Sequence, residues 1–329
     1  MASIRFAGTH YTAEEGESVL ATLLRHRVDT PYSCKVGSCH ACLLRRTDGP
    51  LPEETQRGLK PTLRAQGYFL ACRYFPDEDI EVASAEEADV SAPARVIGID
   101  RINSAICRIA LEPATPLYYH AGQYINLVRS DGLTRSYSLA SVPALDAQLE
   151  IHVRRLDNGR MSNWLHDKLQ VGDSLQFQGP WGDCFYLPGR PDQELILIGT
   201  GTGLAPLVGI LRDALQSDHT GDIHLYHGSR TPTGLYLHER LQRLAEVHDN
   251  FHYHACISGD SPPPDCRAGR ANELALADFP QLAGRRLYLC GRPAMVHETK
   301  QRAFLAGAAM NDIFADPFDM TDLRQKPRD

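Results

Sequence analysis

Four cysteines of the 329-residue chain are spaced to hold metal. Cys34, Cys39 and Cys42 stand as C-x4-C-x2-C in PYSCKVGSCHACLLRR, and Cys72 follows in YFLACRYF. Two irons need four thiolates, three from a short wrapping loop and one from a remote segment, and this is the spacing of a plant-type [2Fe–2S] site. Gly37 lets the loop backbone come close enough for amide N–H groups to face the sulfurs. Structural zinc is the competing use, but zinc ordinarily takes paired C-x2-4-C knuckles, and one such pair is present here. Such a cluster moves one electron at a time and cannot by itself accept a hydride. Cys107, Cys184, Cys256 and Cys266 lack ligand spacing and read as small buried hydrophobes.

Two later stretches could hold phosphates. Gly122-Gln123-Tyr124 precedes Arg135-Ser136-Tyr137-Ser138, and Gly159-Arg160-Met161-Ser162 follows. Met161 and Ser162 open a short helix, SNWLHDKL, whose free N–H groups and dipole favour an anion. Taken alone, R-x-Y-S is equally an ordinary strand with a salt bridge. Further on, Ile198-Gly199-Thr200-Gly201-Thr202-Gly203-Leu204-Ala205-Pro206 lies between a strand and a helix, where glycines let the backbone reach a pyrophosphate. It is not G-x-G-x-x-G, because Leu204 stands where the third glycine belongs. The next strand, IHLYH, ends in Gly228-Ser229-Arg230 with no acid for an adenosine ribose, which argues against a dehydrogenase-type domain.

The first 84 residues resemble the plant-type ferredoxin domain. R-x-Y-S, together with GTGTGLAP and Cys290-Gly291-Arg292-Pro293, resembles the flavin and nicotinamide modules of the ferredoxin–NADP reductase superfamily. The resemblance implies that Arg135 pairs with the flavin phosphate, Tyr137 lies against the isoalloxazine ring and Ser138 sits near N5. It also implies that Cys290 lies by the nicotinamide and that an aromatic, Phe318 in FADPF, covers the flavin. The implied binding set adds Ser136, Val153, Gly159, Met161 and Ser162 toward the flavin. Toward the nicotinamide dinucleotide it adds Thr200, Gly201, Thr202, Gly203, Pro206, Arg230, Gly291 and Pro293.

This domain order is similar to the reductase components of multicomponent ring-hydroxylating oxygenases. It implies FAD, a [2Fe–2S] cluster, NADH, and delivery of single electrons to a terminal oxygenase or a separate ferredoxin. A reductase feeding a sugar-nucleotide dehydratase shares the architecture, and a redox sensor without turnover is the non-catalytic alternative. Cys256-Ile257-Ser258-Gly259-Asp260 favours NADH, since Asp260 would repel a 2′-phosphate while Arg230 would attract one. The tail from Asp319 to Asp329 continues past Phe318.

Positioning these groups requires three folding elements. A hydrophobic content of 43% with 23% charged residues is that of a globular protein. A net charge of −7 leaves no basic surplus for nucleic acid. We expect an α+β β-grasp ferredoxin domain over 1–84, a linker over 83–94 and an antiparallel flavin-binding β-barrel over 95–190. A parallel-sheet α/β nicotinamide domain over 191–329 completes the expectation. The glutamates of the first 18 residues do not suit a signal peptide, so we expect a cytoplasmic chain whose cysteines stay reduced, and a monomer. Leu195 to Leu211 is uncharged, but its glycines and proline read as strand, turn and helix, not a membrane span.

Lys35, Arg45, Arg46 and Arg73 are expected to form a basic rim near the cluster that steers an acidic acceptor. Arg154-Arg155 could approach the flavin pyrophosphate or face outward. His252 and His254 share a strand face, but with no third ligand beside them they read as packing or surface histidines.

Overall fold

The computed structural model describes residues 2–85, 90–259 and 262–318, and the chain divides into two compact units, 1–87 and 88–329. In the first unit, β1 (Ser3–Phe6), β2 (Thr9–Thr12), β3 (Leu43–Arg46), β4 (Tyr68–Leu70) and β5 (Ile80–Ser84) form one mixed sheet, ordered β2-β1-β5-β3-β4. Helix α1 (Val19–Arg25), capped by the Ser18 hydroxyl, buries Val19, Leu20 and Leu23 among the core residues Ile4, Phe69 and Val82. The short α2 (Pro61–Ala65) precedes β4. This is the expected β-grasp, and its cluster loop runs between α1 and β3.

Strand alternation corrects one surface assignment. β3 buries alternate residues, so Arg46 shares the inward face with Leu44 and is itself buried. Its guanidinium donates to Asp48 (2.8 Å), Glu78 (2.9 Å), the Pro50 carbonyl (2.7 Å) and the Tyr74 hydroxyl (2.8 Å). Arg46 therefore ties the segment after β3 to the segment between β4 and β5 and does not belong to a basic rim. Arg45 is half-buried, while Lys35 and Arg73 are exposed.

The second unit opens with a six-stranded antiparallel sheet of β6 (Val90–Arg101), β7 (Ile106–Pro113), β8 (Tyr124–Val128), β9 (Thr134–Ser138), β10 (Leu149–Arg154) and β11 (Ser174–Trp181). Its order is β10-β7-β6-β11-β8-β9, and a bridge between Leu139 and Ile151 brings the two edges together into a nearly closed barrel. Ile109, Ile125, Leu127, Ile151 and Phe177 fill the interior, and α3 (Arg160–Asp167) buries Met161 and Leu165 against it. The expected linker is shorter than read. Residues 90–94 pair with β11, because Ala92 and Ala94 are small residues facing the barrel core and not solvated spacer.

The rest is a parallel sheet: β12 (Leu195–Thr200), β13 (Ile223–Ser229), β14 (Phe251–Ile257), β15 (Arg267–Ala268), β16 (Arg286–Gly291) and β17 (Ile313–Pro317). Helices α4 (Leu204–Gln216), α5 (His238–Val247), α6 (Ala271–Asp278) and α7 (Pro293–Leu305) accompany it. The order β15-β14-β13-β12-β16-β17 places a topological switch point between β12 and β16, where such sheets bind ligands beyond their carboxyl ends. Leu195 to Leu211 is β12, a glycine turn and the start of α4, and no described helix is long and apolar enough to cross a membrane.

Replacing Arg46 with Met leaves the Tyr74 hydroxyl and two carboxylates without their shared donor, at an expected cost of about 2–4 kcal/mol. Urea denaturation followed through the visible absorbance of the first unit checks this. The midpoint should fall, and an unmoved midpoint would show the buried guanidinium to be dispensable.

Candidate active site

The cysteine loop is shaped by left-handed backbone. Lys35 (φ 57°), Gly37 (φ 83°) and His40 (φ 57°) turn the chain back on itself, and a Cβ on Gly37 would stand 2.9 Å from Arg73 Cγ. These turns aim N–H groups at sulfur: Val36 and Ser38 donate to Cys34 Sγ at 3.4 and 3.3 Å, and Cys34 N–H donates to Cys39 Sγ at 3.4 Å. The Ser38 and Val36 donors, with Cys39, lower the Cys34 thiol to about 5. Burial, with Cys42 beside it, pushes Cys72 up to about 11, and the Gly37 N–H opposes that rise.

The Ala71 N–H to Cys42 carbonyl bond (3.0 Å) brings the remote segment against the loop. The thiols are all free and stand as neighbours, Cys34 beside Cys39 and Cys42 beside Cys72. Two pairs with inward amides are the donor set of two irons sharing sulfides, and that group fits.

At the switch point of the second unit two backbones cross without side chains between them. A Cβ on Gly203 would lie 2.3 Å from the Cys290 carbonyl, and one on Gly291 (φ 122°) would lie 2.8 Å from the Thr200 carbonyl. Thr200 and Gly203 therefore sit directly against Cys290 and Gly291, while Gly201 and Thr202 complete the turn between them and Pro293 opens α7 just beyond. Helix α4 follows a short 3-10 turn over Gly201–Gly203 and has no side-chain cap; its Leu204 N–H is taken by the Gly201 and Thr202 carbonyls and Pro206 has none, so an anion here would meet the amides of the turn itself and not those of α4. Above Gly201 lies Arg154, whose Nη1 would stand 3.2 Å from a Cβ placed there. Arg155 is instead held by Asp167 at 2.9 and 2.6 Å.

Strand β9 carries the flavin motif. Arg135 and Ser136 are exposed, and Arg135 has no carboxylate partner among the described residues. Tyr137 is half-buried against the barrel core, which raises its phenol well above the usual value. Ser138 is buried and donates to Asp316 Oδ2 at 2.9 Å, linking the barrel to β17. Burial pushes Asp316 up to about 6, a rise that the Ser138 hydroxyl opposes and the charge of Asp183 increases.

Asp316 lies beside Cys290 in the sheet register. Cys290 is fully buried, with its sulfur 3.8 Å from that of Cys184, and burial holds its thiol well above the ordinary range. The Phe318 N–H donates to the Gly291 carbonyl at 2.8 Å, so this aromatic leaves the sheet at the same place. Tyr137, Ser138, Cys290, Asp316 and Phe318 thus come from two different sheets to one end of the unit.

At the start of α3, Gly159 tolerates no side chain, since a Cβ would meet Ser162 Oγ at 2.3 Å, and no side chain caps the helix. Met161 points into the barrel core, and Ser162 Oγ accepts from the Leu156 N–H at 3.2 Å. The first backbone N–H groups of α3 are therefore without a side-chain acceptor. Val153 offers still less, because its side chain is fully buried in the barrel core and its carbonyl accepts from His166 at 3.0 Å. Arg230 is exposed at the end of β13, and its carbonyl accepts from the Gly259 N–H at 3.1 Å, while Asp260 lies outside the described residues. Sequence reasoning missed Asp316; the acid of FADPF, next to C-G-R-P in the final parallel pair, was the available signal.

Gly203→Ala should drive the glycine turn off Cys290 and slow NADH-dependent flavin reduction by about a hundredfold with both chromophores retained. Stopped-flow absorbance checks this, and a wild-type rate would show that the close crossing is not required.

Comparison with known proteins agrees with this geometry. Residues 4–77 match the 2Fe-2S iron-sulfur cluster binding domain, 97–186 the oxidoreductase FAD-binding domain and 197–301 the oxidoreductase NAD-binding domain. The reductase component of the naphthalene 1,2-dioxygenase/salicylate 5-hydroxylase systems of a Ralstonia species is 34% identical, over 94% of this chain and 95% of its own. The reductase subunit of an aromatic O-demethylase from an Amycolatopsis species is 39% identical over 92% and 93%. Among solved structures, a cytochrome P450 reductase from Amycolatopsis superposes with a TM-score of 0.67 at 34% identity, covering 97% of this chain and 99% of that one. Matched in this domain order along nearly its whole length, the chain belongs to the ferredoxin–NAD(P)+ reductase components of oxygenase systems, oxidoreductases that bind FAD, NAD and a [2Fe–2S] cluster.

Proposed function

We propose that this chain takes a hydride from NADH where β9 meets β16 and β17, and that the electrons leave singly through Cys34, Cys39, Cys42 and Cys72. The acceptor is a terminal oxygenase or a separate ferredoxin, in keeping with the dioxygenase and demethylase systems named for its relatives. One observation carries the reading: the Ser138–Asp316 bond, which joins the R-x-Y-S strand to the strand next to Cys290. Bound FAD supplies the conversion between hydride and single electrons.

The remaining work belongs to side chains and amides. Arg135 and the open turn of α3 hold the flavin phosphates, and Tyr137 backs the ring. The turn at Thr200–Gly203, Pro206 in the first turn of α4, Arg154 and Arg230 take the dinucleotide. Cys290, uncharged and fully buried, supports the nicotinamide end of this site from beneath without presenting its own surface, and Phe318 flanks the flavin. Ser138 Oγ and Asp316 hold a proton between them at the edge of this site. Asp260, on the sequence, favours NADH over NADPH.

At the cluster, exposed Lys35 and Arg73 form the steering rim that remains once Arg46 is placed inside. Reversing both to glutamate should slow reduction of the protein partner and flatten its salt dependence. A rate unchanged at low ionic strength would remove the rim from the account.

Asp316 gives a pH signature. Its folded value of about 6 lies above the free-carboxyl value of 3.8, so the folded state loses stability as pH rises between them. Asp316→Asn should raise the melting temperature at pH 8 and not at pH 4, and should remove an inflection near pH 6 in the rate of hydride transfer. An inflection surviving in that variant would assign the proton elsewhere.

The overall reading is tested with Cys72→Ser. NADH should still reduce the flavin at the wild-type rate while single-electron reduction of cytochrome c collapses. Undiminished cytochrome c reduction would mean that the cluster is not the exit. Steady-state kinetics with both nicotinamides decides the cofactor, and a preference for NADPH would refute the choice of NADH.

A further inference from the structure

Five side chains that the redox chemistry does not use gather at the opposite end of the parallel sheet from the glycine turn. Glu194 and Asp222 immediately precede β12 and β13, and His224 and His252 are the second residues of β13 and β14, paired in register. On sequence alone, His252 and His254 lacked a third ligand. The parallel register provides one from the neighbouring strand, because His224 stacks on His252 with ring centroids 4.6 Å apart. Asp222 Oδ1 lies 3.3 Å from His252 Nε2, and ligand atoms of Asp222, His224 and His252 all lie within 4.8 Å of one another. Glu194 Oε1 is 3.3 Å from His224 Nε2, and His254 Nε2 is 3.3 Å from His224 Nδ1.

These spacings are longer than a charge-assisted hydrogen bond, which closes to about 2.7–2.9 Å. They equal the ligand-to-ligand edge of a tetrahedron with metal–ligand bonds of about 2.0 Å, which is about 3.3 Å. We propose that Asp222, His224 and His252 form a binding site for a divalent transition metal, with Glu194 beside the fourth position. Two imidazoles with carboxylates suit zinc, nickel or copper and not calcium or magnesium, which prefer oxygen alone. His254 is the orienting partner: by accepting the Nδ1–H of His224 it leaves the Nε2 lone pair for the metal. Bound there, the ion joins the starts of two adjacent strands, far along the sheet from the dinucleotide turn, so its effect falls on stability and not on turnover.

A second group, His238, Asp265 and Cys266, also has ligand atoms within 4.8 Å of one another and is the natural competitor. Calorimetric titration of the cluster- and flavin-loaded protein with zinc chloride, after dialysis against a chelator, separates the two. Wild type should bind one zinc saturably and melt at a higher temperature with it. Asp222→Ala and His252→Ala should each lose that binding while keeping wild-type NADH oxidation, which shows that they fold. His254→Gln should weaken binding by about 10–100-fold, and Cys266→Ala should leave it unchanged. Absence of saturable zinc binding in wild type would overturn the assignment. So would binding that survives Asp222→Ala and His252→Ala but vanishes in Cys266→Ala.

Discussion

How closely two backbones can approach governs the active end of this protein. At the switch point, β12 turns into α4 across the carbonyl of Cys290, and neither Gly203 nor Gly291 has room for a Cβ. That crossing sets where the start of α4 points and how far the C-G-R-P segment stands from it. The barrel is then fixed against α4 by similarly close contacts, with a Cβ on Gly122 lying 2.6 Å from the Cys184 carbonyl and 2.9 Å from Ile210. The Arg212–Asp146 pair and the Tyr236–His152 hydrogen bond add polar ties between barrel and sheet. Ser138 reaches Asp316 only because these contacts hold the barrel and the parallel sheet in one arrangement.

The two units solve different electrostatic problems with the same resource, the backbone N–H. In the first, left-handed residues turn amides toward thiolates, which favours the charged sulfur that iron requires. In the second, α3 starts without a side-chain cap, and burial disfavours the charged forms: Cys290 is held far above its usual range and Asp316 is raised to about 6. A neutral sulfur and a readily protonated carboxyl thus lie side by side in the register of the last two strands.

What the sequence made legible was local. The cluster ligands are read from spacing because three of them belong to one loop, and the phosphate turns are read because glycine at a strand-to-helix turn has few other uses. Asp316 was not legible, since its partner Ser138 lies 178 residues away and meets it only through packing of two sheets. Arg46 was misplaced although the clue was present: counting by twos along β3 puts it on the face of Leu44. Ala92 and Ala94 read as linker because small residues suit both a spacer and a tight barrel interior. The histidines at the start of the parallel sheet looked unpaired for the same reason that Asp316 did, since adjacency across strands carries no signal along the chain.

The central claim is that one polypeptide accepts electron pairs and releases single electrons. Anaerobic titration with NADH, followed by visible absorbance and electron paramagnetic resonance, tests it most directly. The account predicts that complete reduction takes about one and a half NADH per chain, with flavin and cluster both bleached and a reduced-cluster signal appearing. Bleaching of flavin alone, with zinc or no iron bound at the four cysteines, would contradict it.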